Sequence, residues 1–171
     1  MFKDYRFLLL AAVAVIIALP FLGASEEEII LRRLEELRVK AEIREPESGI
    51  QQLAKARQIG EYFSEQTTFD LTSAGYHKVE IPSRQDLVQR IARGRATLDS
   101  LELTSRNPKV TIEGDSARVE LQGSALGTIR GEQEQFLDIH LISLVLEKKD
   151  NAWLVTGGRH IRDERRSSGT Q

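Results

Sequence analysis

The chain has 171 residues, enough for one domain with a substantial core, and 24 Lys and Arg against 26 Asp and Glu leave a formal net charge of -2, without the basic excess of a nucleic-acid footprint. It contains no cysteine, which excludes disulfide frameworks, thiol nucleophiles, cysteine-based zinc sites, iron–sulfur clusters and acylated lipoprotein anchors. Its three histidines, His77, His140 and His160, are too widely spaced for a local ligand pair, so neither a metal nor a cofactor is expected.

In chain order the first feature is an uncharged run, FLLLAAVAVIIALPFLGAS, from Phe7 to Ser25. Its 19 residues, at ~1.5 Å each, reach about 28 Å, close to the thickness of a hydrocarbon core. Residues 1–25 therefore read as a membrane anchor, with a cleaved signal peptide as the alternative, Gly23-Ala24-Ser25 offering a small-residue cleavage site. Lys3 and Arg6 before the run and Glu26-Glu27-Glu28 after it put the N-terminus in the cytoplasm. Either way residues 26–171 are expected outside it, as a domain at 26–163 and a disordered tail at 164–171.

A first helix starts at the capping-box pair Ser25 and Glu28, with Ile30, Leu34, Leu37 and Ala41 on one face. Glu28–Arg32 and Glu36–Lys40 are spaced for i,i+4 ion pairs. Pro46 and Gly49 break the pattern. A second helix then carries Ile50, Leu53, Ala56, Ile59 and Phe63 to about Ser64. Thr67 to Ile81 reads as one strand or a short hairpin broken near Ser73-Ala74-Gly75. Ser83 with Asp86 caps a third helix through Leu87, Val88, Ile91 and Ala92, ending near Gly94. From Leu98 the period changes to two: turns are predicted at Asn107-Pro108 and Gly114-Asp115, and the last strands, Phe136–Leu146 and Trp153–Ile161, are joined by Lys149-Asp150-Asn151. Gly123, Gly127 and Gly131 match no phosphate-binding motif and read as bulges or a bend. Helices segregated from an antiparallel meander define an α+β class.

This order, with the short capped helix after SAGYHKVEIPS and the long strands ending in LVLEKKDNAWLV, resembles the nuclear transport factor 2-like (NTF2-like, SnoaL-like) superfamily. The resemblance implies a cone of curved sheet wrapped around about three helices. It implies an internal pocket as well, for which Tyr62, Asp70, His77, Asp138, His140 and His160 are the candidates. Asp138 and His140 share one strand face, where an acid or base in an apolar pocket suits proton transfer. The competing expectation for them is a rim position in contact with water.

Both faces of the Phe136–Leu146 strand are apolar: Ile142, Leu144 and Leu146 on one, Ile139, Leu141 and Val145 on the other. Helices can cover only one, so a homodimer through the other is expected, with Ile139, Leu141 and Val145 at its interface; the alternative is cover from within the chain. Two functions stay open. The tether favours a non-catalytic interaction module docking on an envelope protein; the alternative is a small-molecule-binding protein, or a metal-free lyase or isomerase using the pocket.

Overall fold

The computed structural model describes residues 24–132 and 134–161. Helix α1 (Glu26–Ala41) opens on the capping box between Ser25 and Glu28, with three glutamates in its first turn where the helix dipole favours negative charge. Helix α2 (Gly49–Gly60) opens on a second capping box, Ser48 with Gln51. Strand β1 (Phe63–Asp70), a single 3-10 turn at Thr72–Ala74 and strand β2 (Lys78–Ile81) follow, so the Thr67–Ile81 region is a hairpin. Helix α3 (Arg84–Ala96) begins where Ser83 Oγ accepts the Asp86 amide. Strands β3 (Leu98–Glu113), β4 (Ser116–Ile129), β5 (Gln135–Lys149) and β6 (Ala152–Ile161) form the meander.

The six strands make one sheet in the order β2-β1-β6-β5-β4-β3. All neighbours are antiparallel except β1 and β6, which run parallel, a pairing the hydrophobic pattern did not suggest. It depends on Gly157: a Cβ there would lie 2.2 Å from the Thr68 carbonyl oxygen, inside any permissible contact.

Three sequence expectations are corrected. Asn107-Pro108 is not a turn but a bulge within one 16-residue strand, where the register slips between Arg106 and Lys109 and Asn107 adopts φ 53°. On an edge strand proline gives up no ladder bond, so the strand continues. Helix α2 ends at Gly60, leaving Phe63 and Ser64 to β1, and it buries Gln52, Ala56, Ile59 and Gly60 while Ile50 is 85% exposed. Its packing needs small residues: a Cβ on Gly60 would come within 2.8 Å of Val88 on α3. The Gln52 amide donates to the Glu47 carbonyl (2.9 Å), which gives that buried polar group its partner. Gly123 and Gly127 lie in unbroken β4–β5 register rather than at bulges, and Gly131 occupies a turn at φ 83°.

The helices cover the concave face of the sheet, and the two ends of that concavity differ. Around the start of α1 it is filled by Ile30, Ala117, Val119, Leu146, Trp153 and Val155. Trp153 is 1% exposed, and its Nε1 donates to Glu26 Oε2 (2.7 Å). Around the end of α1 the inward residues of β4 shrink to Gly123 and Ala125, and the interior is hollow. Arginines brace the hollow end. Arg95, 5% exposed, forms a forked pair with Glu47 and donates to the carbonyls of Ala41 and Glu42. Arg38 joins Glu35 and Glu42 and reaches the Leu103 carbonyl on β3; the expected pairs Glu28–Arg32 and Glu36–Lys40 are not among the ion pairs of the described residues.

Among the described residues no helix is long and apolar enough to cross a membrane. The anchor at 7–25 falls almost wholly outside those residues, as does the tail at 164–171.

Candidate functional site

The hollow end is a cavity of about 720 Å³, within the usual range for small-molecule pockets. Leu34, Leu37 and Ala41 of α1 and Leu87 and Ile91 of α3 form its roof; Phe63 and Phe69 of β1 form one side. Leu101 and Leu103 form the other, and Leu121, Gly123, Ala125, Ile142 and Leu144 its floor. Two carboxyl or imidazole groups belong to this lining, Asp138 and His140. They project from the inward parity of β5, the parity that also carries Ile142, Leu144 and Leu146. Their side chains remain 68% and 44% exposed, so they stand at the edge of the cavity, where it meets water.

His140 Nε2 lies 3.7 Å from Asp138 Oδ1, beyond hydrogen-bond reach but within ion-pair range. His160 is opposite Ile142 in the β5–β6 ladder, and its ring meets that of His140 edge to face with centroids 5.0 Å apart. The Ser73 hydroxyl lies 2.8 Å from His160 Nδ1 and 2.7 Å from the His160 carbonyl. A hydroxyl has one proton; donating it to the carbonyl leaves Nδ1–H as the donor to Oγ. Asp138, His140 and His160 are thus brought together.

The other three candidates are elsewhere. Tyr62 is buried outside the cavity lining, its hydroxyl donating to Glu36 Oε2 (3.3 Å) and its ring 4.6 Å from the Arg33 guanidinium. Burial, and then the Glu36 carboxylate, push its phenol above the ordinary tyrosine value. Asp70 ends β1 in an Asx turn, where the hydroxyl and then the amide of Thr72 hold its carboxyl below the ordinary range. His77 is exposed in the loop before β2. Spacing could not separate these from the true lining, because facing depends on where each strand begins. The apolar lining of α1, α3 and β3 was missed as a site; the run of small inward residues Gly123 and Ala125 was the one available signal.

On the convex face Ile139 and Val145 are 54% and 38% exposed and Leu141 is half-buried; Leu137, 62% exposed, joins them. Among the described residues no cluster of three or more His, Asp or Glu is arranged to hold a metal ion.

No family model matches the sequence, and neither does any curated protein. Solved structures do match. The Kfla4162 protein of Kribbella flavida superposes with a TM-score of 0.63 at 11% identity, over 79% of this chain and 88% of that one. An NTF2-like protein with a cystatin-like fold from Novosphingobium aromaticivorans gives 0.58 at 13% identity over 95% of both chains. A hexachlorocyclohexane dehydrochlorinase, LinA type 2, gives 0.56 at 10% identity over 78% of this chain and 82% of that one. The chain has the NTF2-like cone fold, shared by enzymes and by proteins of other kinds; at these identities the likeness establishes the fold alone.

Proposed function

We propose that this domain binds a small apolar molecule in the concavity of its sheet, and that His140, with Asp138 beside it, moves a proton on the bound molecule without a metal. The observation that carries the reading is the open cavity of about 720 Å³, lined for the most part by apolar side chains, with Arg38 and Arg95 beside the end of α1 and Asp138 and His140 at its edge. A filled cone would have favoured a purely structural module. The chemistry such a pair suits is proton removal next to a carbonyl and its return elsewhere on the carbon skeleton, or loss of a neighbouring leaving group. The imidazole takes the proton and the carboxylate stabilises the imidazolium that forms. That an enzyme such as the dehydrochlorinase shares the fold is compatible with this reading.

The test is solvent-deuterium exchange into an enolisable bicyclic ketone, 2-tetralone, followed by proton NMR. The protein should accelerate exchange, and His140→Gln should remove about 10²-fold or more of the acceleration. Equal acceleration by the variant refutes proton transfer at His140 and leaves ligand binding standing.

A second reading rests on the opposite face. Leu137 and Ile139, more than half exposed and adjacent to half-buried Leu141, favour a homodimer through the convex side of the sheet. The charge order around residues 7–25 supports a membrane-tethered, extracytoplasmic domain, and an envelope partner would compete for the same convex face.

A further inference from the structure

The outer edge of β3 is capped along its first half and bare along its second. Leu101 exchanges both backbone bonds with Ile43, and the Leu103 carbonyl accepts from Arg38. Along this half, then, every second residue from Leu101 turns its backbone groups outward. The bulge between Arg106 and Lys109 shifts that alternation by one residue. Beyond it Lys109, Thr111 and Glu113 bond to β4, and Val110 and Ile112 turn their N–H and C=O groups outward. Among the described residues no strand or bridge pairs with this stretch. Lys109, Thr111, Ile112 and Glu113 are exposed, and the ion pairs of the described residues include neither Lys109 nor Glu113.

We propose that Lys109–Glu113 pairs antiparallel with the same stretch of a second copy of this chain, about a two-fold axis at Thr111, joining the two sheets edge to edge. The residues themselves select this partner and this register. Lys109 lies opposite the partner's Glu113, Val110 opposite the partner's Ile112, and Thr111 opposite the partner's Thr111. Val110 and Ile112 thereby meet as hydrogen-bonded pairs, outward groups against outward groups. The side-chain rows of the sheet also continue across the axis. On the concave face the Val119–Val110 row runs on into the partner's Ile112, covering an isoleucine left 37% exposed. On the convex face the Glu120–Lys109 row runs on into the partner's Glu113, so that charges alternate in sign. Moving the axis to Val110 would set Ile112 against the partner's Pro108, which has no N–H. Moving it to Ile112 would set Val110 against the partner's Gly114, in the turn. The contact is smaller than a lasting interface needs, so in dilute solution it forms transiently. It is separate from the convex-face patch on β5.

The chain has no cysteine, so single thiols placed on this edge report the contact without background, by disulfide formation in the full chain under mild oxidation. In the proposed register the two Thr111 Cα atoms are ~4.5 Å apart, inside the disulfide range, whereas positions 109 and 113 each lie roughly 14 Å from their own counterpart. Thr111→Cys should therefore cross-link at least about tenfold faster than Lys109→Cys or Glu113→Cys alone. A mixture of those last two variants should cross-link one to the other. Adding Lys109→Glu to Thr111→Cys should slow the reaction about tenfold by opposing two carboxylates, and adding Glu113→Lys as well should restore it. All these positions are exposed, and circular dichroism confirms that each variant is folded. Adding Ile139→Lys to Thr111→Cys should leave the rate unchanged; a loss there would assign the cross-link to the convex face and overturn the edge contact. Equal rates at positions 109, 111 and 113, or indifference to Lys109→Glu, would overturn it too.

Discussion

Trp153→Ala tests the closed end of the cone, on which the hollow end depends for its shape. The indole is 1% exposed against Ile30, Val119, Leu146 and Val155. A buried tryptophan removes about 200 Å² from water, which at ~25 cal/mol per Å² is roughly 5 kcal/mol as an upper bound. Measured truncations of buried aromatics give about 3–5 kcal/mol, so the two estimates agree. The Trp153 carbonyl, which accepts from Arg33, survives the substitution, so the loss reports the side chain. For a domain of this size it should lower the melting temperature by about 10–20 °C. Because Trp153 is the only tryptophan, unfolding in urea should be followed by far-ultraviolet circular dichroism. Trp153→Phe, which keeps much of the apolar area and removes the donor to Glu26, should lose less. A loss below about 1 kcal/mol for alanine would refute the placement of β6 against α1.

Gly157→Ala should destabilise by about 1–3 kcal/mol or more, since its Cβ must displace the Thr68 backbone; an unchanged thermal midpoint would contradict the parallel β1–β6 pairing. The Glu26 carboxyl is held below 4.5 by hydrogen bonds from Lys148 and then Trp153. Its folded form therefore binds fewer protons than the unfolded one, and its contribution is complete above pH 4.5 and lost as pH falls through the lower folded value. The urea midpoints of wild type and Glu26→Gln should thus differ at pH 6 and converge below pH 4.5; a constant gap would mean the carboxylate is unshifted. On β5, Leu144→Lys faces the helices and should unfold the domain, whereas Ile139→Lys faces outward and should convert a dimer to a folded monomer by sedimentation equilibrium. A wild type that sediments as a monomer would remove the dimer reading.

Local chemistry explains which features could be read from the residues alone. Ser25, Glu28, Ser83 and Asp86 signal helix starts within four residues, and Gly114-Asp115 and Asp150-Asn151 are turns because of their own backbone preferences. The period-two pattern of β5 separated its two faces correctly but could not say which one the helices cover, since that depends on residues far away in sequence. Non-local facts stayed hidden for the same reason. The parallel β1–β6 contact needs Gly157 opposite Thr68, and the Ser73–His160 bond joins residues 87 apart in sequence. Asn107-Pro108 misled because proline at an edge bulge and proline at a turn look alike in one chain. The cavity was the hardest to foresee: a hollow follows from what side chains fail to fill, and Gly123 and Ala125 reveal it only once they are known to share one lining with Leu37 and Ile91.

The central claim, that the cone takes up a small apolar molecule, is tested most directly by titrating the protein with N-phenyl-1-naphthylamine and repeating the titration with Gly123→Leu. A Cβ at Gly123 meets its neighbours Ile142 and Leu121 at ordinary contact distances of 3.6 and 3.8 Å, so the leucine should fold and extend into the cavity. The account predicts saturable, blue-shifted binding at one site per chain in the wild type. It predicts loss of that binding in a variant whose melting temperature is equal or higher. No saturable binding in the wild type, or undiminished binding in a folded Gly123→Leu variant, would contradict it.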